Sequence, residues 1–265
     1  MILDAGTGIR LLGRRLIEEG RAQRAHVVLS HFHWDHIQGL PFFRLLFESD
    51  TSLVVSGPRQ GEDGVAELLA GQMDPNYFPV PLYSLAAATD FEDLSDGQLS
   101  EGSIQISGMR VRHPSITMGI RLRVAGHSIC YVPDNELDGP THGLDASDWR
   151  ERLVEFVRDA DLLLHVADAT ESEARREVQA EAVESVLEEI GAGEIPRLVV
   201  VNKVDRLATD EQTALANRFP DAILTSARSG AGLDEVRRRL ADVARGRLTA
   251  IDVTIPYARG ELLSS

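Results

Sequence analysis

Ser30-His31-Phe32-His33-Trp34-Asp35-His36 follows directly on the apolar run Ala25-His26-Val27-Val28-Leu29. The run reads as a short buried strand, so His31 and His33, two residues apart at its end, can point to the same side while Asp35 and His36 open the next element. Four of the eight histidines fall within residues 26–36. Three imidazoles and a carboxylate packed this tightly would be wasted as generic core. Neutral imidazoles beside a carboxylate suit zinc, and also iron or manganese.

Working outward, residues 8–19 read as a helix with Ile9, Leu12, Leu16 and Ile17 on one face and Gly20 placed to end it. Beyond the histidines, 37–47 read as a helix and 52–55 as a strand, and 71–100 are turn-rich, with Pro75, Pro79 and Pro81. From residue 103 the apolar period becomes two. Ile104, Ile106 and Val111, then Ile120, Leu122 and Val124 alternating with Arg121 and Arg123, predict paired strands, and a turn at Ala125-Gly126 leads to a strand at 128–132. A helix at 147–158 closes this part, which reads as a mixed sheet with helices against it.

Near residue 159 the grammar changes. Apolar runs at 162–166, 197–201 and 222–226 alternate with helical patterns at 171–190, 210–217 and 233–244. That spacing predicts a parallel sheet with covering helices. The chain therefore divides into 1–158 and 159–265, although no Gly/Ser linker marks the boundary.

The spacing of His31, His33, Asp35 and His36 resembles the H-x-H-x-D-H motif of the metallo-β-lactamase-fold hydrolases. The likeness extends to Asp4-Ala5-Gly6-Thr7-Gly8 and Gly39-Leu40-Pro41-Phe42-Phe43. Arg112-His113-Pro114 is similar to the family's third-histidine segment, and Tyr131-Val132-Pro133-Asp134-Asn135-Glu136 to the strand end whose aspartate bridges two metals. The branch it resembles is the phosphodiesterase-like one that includes ribonuclease Z and cyclic-nucleotide phosphodiesterases.

The resemblance implies a mixed α/β fold, a partial αββα sandwich over 1–158. His31, His33 and His113 would hold one metal and Asp35 and His36 a second, with Asp134 between them and Asp35 and Asp134 as the catalytic carboxylates. One or two Zn2+ ions, or Mn2+ or Fe2+, are implied. Two ions about 3.5–4 Å apart lower the pKa of a bridging water and clamp the oxygens of a phosphodiester or ester undergoing hydrolysis. The family's strands before D-A-G-T-G and its final metal histidine are not matched, so weak or absent metal at the second position is expected. His26, His127 and His142 receive no role.

Asn202-Lys203-Val204-Asp205 resembles the N-K-x-D motif of GTPases, in which the aspartate accepts both hydrogens of guanine N1 and N2 and the lysine stem covers the ring. Ser226-Ala227-Arg228 is similar to the loop that contacts guanine O6. Residues 159–169, 191–196 and 255–263 resemble HflX-type GTPases, which makes 159–265 the C-terminal part of a P-loop-GTPase-like sheet and explains His165. Of 27 basic residues only Lys203 is a lysine. A phosphate loop G-x-x-x-x-G-K-[ST] needs its own lysine, so none exists in this chain. Weak GTP or GDP binding without turnover follows.

The net charge of −15, spread over both parts, disfavours DNA and anionic membranes. With one cysteine, no apolar run of about 18 residues and no leader pattern, the expectation is a cytoplasmic protein. The reading is a metal-dependent hydrolase of a small phosphodiester or ester. Its alternatives are an HflX-like guanine-nucleotide-binding, ribosome-associated fragment and an inactive composite of two truncated genes.

Overall fold

Alternating apolar positions build two stacked sheets in the computed structural model, which describes residues 1–21, 24–98, 104–135, 142–144, 146–170 and 195–246. The first sheet is wholly parallel and runs β1 (Ile2–Leu3), β2 (Arg24–Val28), β3 (Ser52–Pro58), β4 (Ala88–Leu94). The second has seven strands. β5 (Gly97–Gln98), β6 (Ile104–Val111), β7 (Thr117–Val124) and β8 (His127–Tyr131) are antiparallel neighbours, and β9 (Leu162–Asp168), β10 (Arg197–Asn202) and β11 (Ile223–Leu224) continue beyond β8 in parallel.

Each strand sends alternate side chains to opposite faces, and that period fixes the layers. Val27, Leu53 and Val55 pack with Ile9 of α1 (Ile9–Glu18), Leu69 of α3 (Val65–Gln72) and Phe43. Between the sheets, Leu3, Val28 and Leu94 meet Ile106, Met118, Ile120 and Tyr131. On the far side, Met109, Val111, Cys130 and Leu163 are covered by Trp149, Leu153 and Val157 of α4 (Ala146–Val157). The layers are helix, sheet, sheet, helix. In the extension, Leu198 and Val200 face α6 (Leu233–Gly246), while Val199 and Val201 face α5 (Thr209–Arg218).

The change of grammar near residue 159 falls inside this second sheet. β8 and β9 pair through Ile129 with Leu162, Cys130 with Leu163 and Tyr131 with Leu164. Buried Asp161 accepts the Ser128 N–H at 2.6 Å, and Arg121 donates to the carbonyls of Phe156 and Arg158 at 2.8 Å. At the boundary the chain passes from α4, which ends at Val157, into β9 at Leu162, and the short turn between them is held by these hydrogen bonds.

Two local expectations are corrected. The helix at 37–47 is instead a four-residue α2 (Trp34–Ile37) followed by 3-10 turns at Leu40–Phe42 and Arg44–Phe47. Gly39 N–H leaves the helical ladder to donate to Ala5 O at 2.9 Å, and Pro41 has no N–H to continue it. The turn-rich stretch 71–100 contains β4, whose Asp90, Glu92 and Asp93 hid the strand pattern; charge of this kind suits an edge strand that must not pair further. The helix expected at 171–190, Glu136 and the segments 191–194 and 255–263 lie outside the described residues. No described helix is long and apolar enough to cross a membrane.

Cys130 reports on this packing. Burial pushes its thiol up to about 12, only partly offset by the Arg121 and Arg123 charges. At pH 8 roughly one molecule in 10,000 then carries a thiolate. The native protein should leave Ellman's reagent uncoloured for hours and give one thiol equivalent once unfolded; rapid reaction of the native chain would contradict this core.

Candidate metal centre

Asp4 organises the site before any ligand is considered. At the end of β1 the chain turns through a left-handed conformation at Asp4, φ 57°, with its N–H donating to Val28 O at 2.9 Å. The nearly buried carboxylate then accepts the Ser30 N–H at 2.7 Å, the Ser30 hydroxyl at 3.0 Å, the His36 Nδ1–H at 2.9 Å and the Tyr131 hydroxyl at 2.7 Å. Burial opposes its charge, but the hydrogen bond and charge of His36, with Ser30 and Tyr131, hold its pKa below the ordinary value. The neighbouring Ala5 N–H donates to His36 O at 2.6 Å, and a side chain on Gly6 would collide with the Asp35 carbonyl. Glycine is required there by close backbone approach.

These bonds set the imidazoles. Because Asp4 only accepts, His36 Nδ1 must be the donor, which turns Nε2 toward the site. The Ser30 hydroxyl donates to Asp4, so its oxygen takes the His31 Nδ1–H at 3.0 Å. His31 Nε2 is left buried and without a hydrogen-bond partner. Burial, helped by the positive charge of His36, depresses the His31 pKa to about 3, so that nitrogen keeps its lone pair. An orphaned imidazole nitrogen among ligating atoms fits a divalent cation.

Around it, ligand atoms of His31, His33, His113 and Asp134 all lie within 4.8 Å of one another, and those of Asp35, His36 and Asp134 form a second such group. Asp134 Oδ2 belongs to both, 3.9 Å from His31 Nε2, 3.9 Å from His113 Nε2 and 3.5 Å from His36 Nε2. The Arg112 N–H donates to Asn135 Oδ1 at 3.1 Å, tying the loop that carries His113 to the loop that carries Asp134. The two groups differ electrically. Burial works against a charge on His36, yet Asp134 and Asp4 on either side raise its pKa to about 10, while Asp134 is held well below the carboxylate range. A cation entering the second group must displace that proton.

The residues of the Asn202–Asp205 and Ser226–Arg228 segments also sit together. Asn202 Oδ1 accepts the Ala227 N–H at 3.0 Å, the Ser226 hydroxyl donates to Asp205 Oδ1 at 2.6 Å, and Arg228 Nη1 lies 4.0 Å from Asp205 Oδ2. Lys203 takes a left-handed conformation, φ 70°, and its Nζ lies 3.6 Å from Asp35 Oδ2. The two constellations therefore touch. Parallel strands β8, β10 and β11 all deliver their following loops to one rim, which is why Asp134, Asn202–Asp205 and Ser226–Arg228 converge. His165 on β9 bonds the Val132 backbone and feels the Asp134 charge, but it is in neither ligand group. Asp4, Ser30 and Tyr131 lie within segments that carry the resemblance, but the sequence assigns them no individual role, since bonds between distant segments leave no local pattern.

A family model described as a beta-lactamase superfamily domain matches residues 1–201, three quarters of the chain. The chain belongs to the beta-lactamase superfamily. Among solved structures, the metallo-beta-lactamase fold protein YhfI from Bacillus subtilis is similar, at 17% identity and a TM-score of 0.49, covering 86% of this chain and 84% of that one. This beta-lactamase superfamily chain also resembles GTPase HflX of Gluconacetobacter diazotrophicus, 37% identical over 122 residues, 46% of this chain and 26% of that protein. GTPase HflX of Escherichia coli is 36% identical over 118 residues, 42% of this chain and 26% of that protein. The chain spans about a quarter of the length of these GTPase relatives.

Within this superfamily member, Asp4 acts by positioning. Asp4→Asn replaces one acceptor oxygen with an N–H2 group that meets either the Ser30 N–H or the three donors on Oδ2, and zinc affinity measured by calorimetric titration should fall roughly 10- to 100-fold. Circular dichroism should stay native. Unchanged affinity in the folded variant would contradict the orienting role.

Proposed function

We propose that the chain is a metal-dependent hydrolase that cleaves a phosphodiester or ester. The observation that carries this reading is the buried, partnerless His31 Nε2 surrounded by His33, His113 and Asp134. In this proposal His31, His33, His113 and Asp134 hold the first ion, and Asp35 and His36 share Asp134 with a second and weaker one. Imidazole-rich donors favour Zn2+, with Mn2+ or Fe2+ also suited. Such an ion supplies Lewis acidity toward a phosphoryl or carbonyl oxygen and acidifies water.

The chain's own groups do the rest. Asp134, kept ionised, and Asp35, half-exposed at the rim, orient the attacking water, and Asp35 takes its proton. Water oxygen bonds to phosphorus or to the carbonyl carbon, the bond to the alcohol oxygen breaks, and the departing alkoxide picks up a proton. The Lys203 ammonium, 3.6 Å from Asp35, adds a positive charge where an anionic substrate arrives. On this reading 1–158 carry the hydrolytic chemistry and 159–265 supply one wall of its rim.

A second reading is favoured by the Ser226–Asp205 and Ala227–Asn202 hydrogen bonds, which hold a base-reading loop in order. It is weak guanine-nucleotide binding through Asn202, Lys203, Asp205, Ser226, Ala227 and Arg228, without GTP turnover; the HflX likeness would then extend to a ribosomal partner.

Elemental analysis of purified protein together with turnover of bis(p-nitrophenyl) phosphate tests the first reading. At least one ion per chain and metal-dependent turnover are expected, with His33→Ala and Asp134→Ala each losing roughly 100-fold or more. Less than one ion per chain with no turnover after zinc loading would overturn it.

A further inference from the structure

A cleft of about 670 Å3 opens beside the metal centre, between α1, α2 and the loops that follow β10 and β11. In a chain of net charge −15, its lining reverses sign: five cations, among them Arg10, Arg14 and Arg228, face only the carboxylates of Asp35 and Asp205. Arg10 and Arg14 stand one turn apart on α1 and so share a face. The Trp34 ring, 67% exposed, lines the same cleft. Large exposed aromatics are costly on a surface with nothing to cover them, and an indole face stacks well on a nucleobase.

Asp205 gives the cleft a direction. Its Oδ1 is fixed by the Ser226 hydroxyl at 2.6 Å, which locks the carboxylate plane. A locked, ionised carboxylate is acceptor-only, so it pairs with two adjacent N–H donors and repels an edge that presents a ring-nitrogen acceptor. Guanine offers N1–H beside its 2-amino group; adenine offers a bare N1. At the other end, Asp35 belongs both to the cleft and to the second ligand group. One lysine side chain spans the interval, since Lys203, two residues before Asp205, reaches Asp35 at 3.6 Å.

We propose that the cleft and the metal centre form one substrate site for phosphate esters of guanosine. Asp205 reads the base, Trp34 and the Lys203 stem flank it, Arg10 and Arg14 balance the phosphate charge, and the ester points past Asp35 to the ligands around Asp134. This rests on the hydrolase reading and names the substrate class of that site. In the reaction, water oxygen bonds to phosphorus, the bond from phosphorus to the leaving oxygen breaks, and guanosine monophosphate is released with the alcohol or phenol.

Two measurements separate base reading from hydrolysis. Calorimetry on metal-free protein compares GMP with AMP, and zinc-loaded protein is assayed on guanosine 5′-(p-nitrophenyl phosphate), its adenosine counterpart and bis(p-nitrophenyl) phosphate. GMP should bind about tenfold or more tightly than AMP, and kcat/KM should favour the guanosine ester by a similar factor. Asp205→Asn should collapse both ratios toward one. Trp34→Ala should weaken both nucleotides alike, which a folding defect confined to the Asp205 loop would not do. Equal binding of GMP and AMP, or ratios that survive Asp205→Asn, would overturn the proposal. So would selective GMP binding with turnover of the base-free ester but not of the guanosine ester. Absence of turnover on every ester would overturn the hydrolase reading and this proposal with it, and the metal-free binding data distinguish that failure from loss of base selectivity.

Discussion

A single buried carboxylate, Asp4, receives hydrogen bonds from three segments that are far apart in sequence: Ser30 after β2, His36 on α2 and Tyr131 at the end of β8. Burying an ionised group is tolerable only when its lone pairs are satisfied, and here four donors satisfy them. The arrangement has a directional consequence. Two of the donors orient imidazoles: His36 directly and His31 through the Ser30 hydroxyl, so both present Nε2 inward. Because Tyr131 belongs to the second sheet and Asp4 to the first, the same carboxylate also pins the two sheets together at the site.

The rest of the architecture brings further groups to that point. The seven-stranded sheet passes through the change of sequence grammar at residue 159 without a break, and its parallel half sends each following loop to the same rim. Two groups of residues that are far apart along the chain thereby become neighbours, with Lys203 against Asp35 as their contact. The acidity of the molecule is not uniform either: cations that are diluted in the composition are gathered around the cleft beside the candidate metal centre. For an anionic substrate the local field outweighs the net charge, because exposed charges more than about 10 Å away are largely screened.

How much could be read from residues alone followed the range of the interaction. His31, His33, Asp35 and His36 stood out because three histidines and a carboxylate within six residues make a dense local pattern, and the structure gathers them around Asp134; the strands β6 to β8 stood out because alternation survives there. His113 and Asp134 were named only by resemblance, since nothing in their own sequence neighbourhoods predicts that they join the group. β4 stayed hidden behind Asp90, Glu92 and Asp93, where the needs of a sheet edge override the apolar pattern. The helix read over 37–47 ends after one turn because backbone contacts of Ala5 and Gly6 with α2 and Gly39 draw it off and Pro41 cannot continue it. The meeting of Lys203 with Asp35 depends on strand order, which periodicity does not encode.

The central claim is that the cluster around Asp134 is a metal centre, and anomalous diffraction from crystals grown with zinc tests it most directly. Data collected on either side of the zinc edge should show a strong peak within about 2.0–2.3 Å of nitrogen atoms of His31, His33 and His113 and an oxygen of Asp134. A weaker second peak near Asp35 and His36 is consistent with the same account. Zinc-grown crystals with an ordered cluster and no anomalous peak among these four side chains would contradict it.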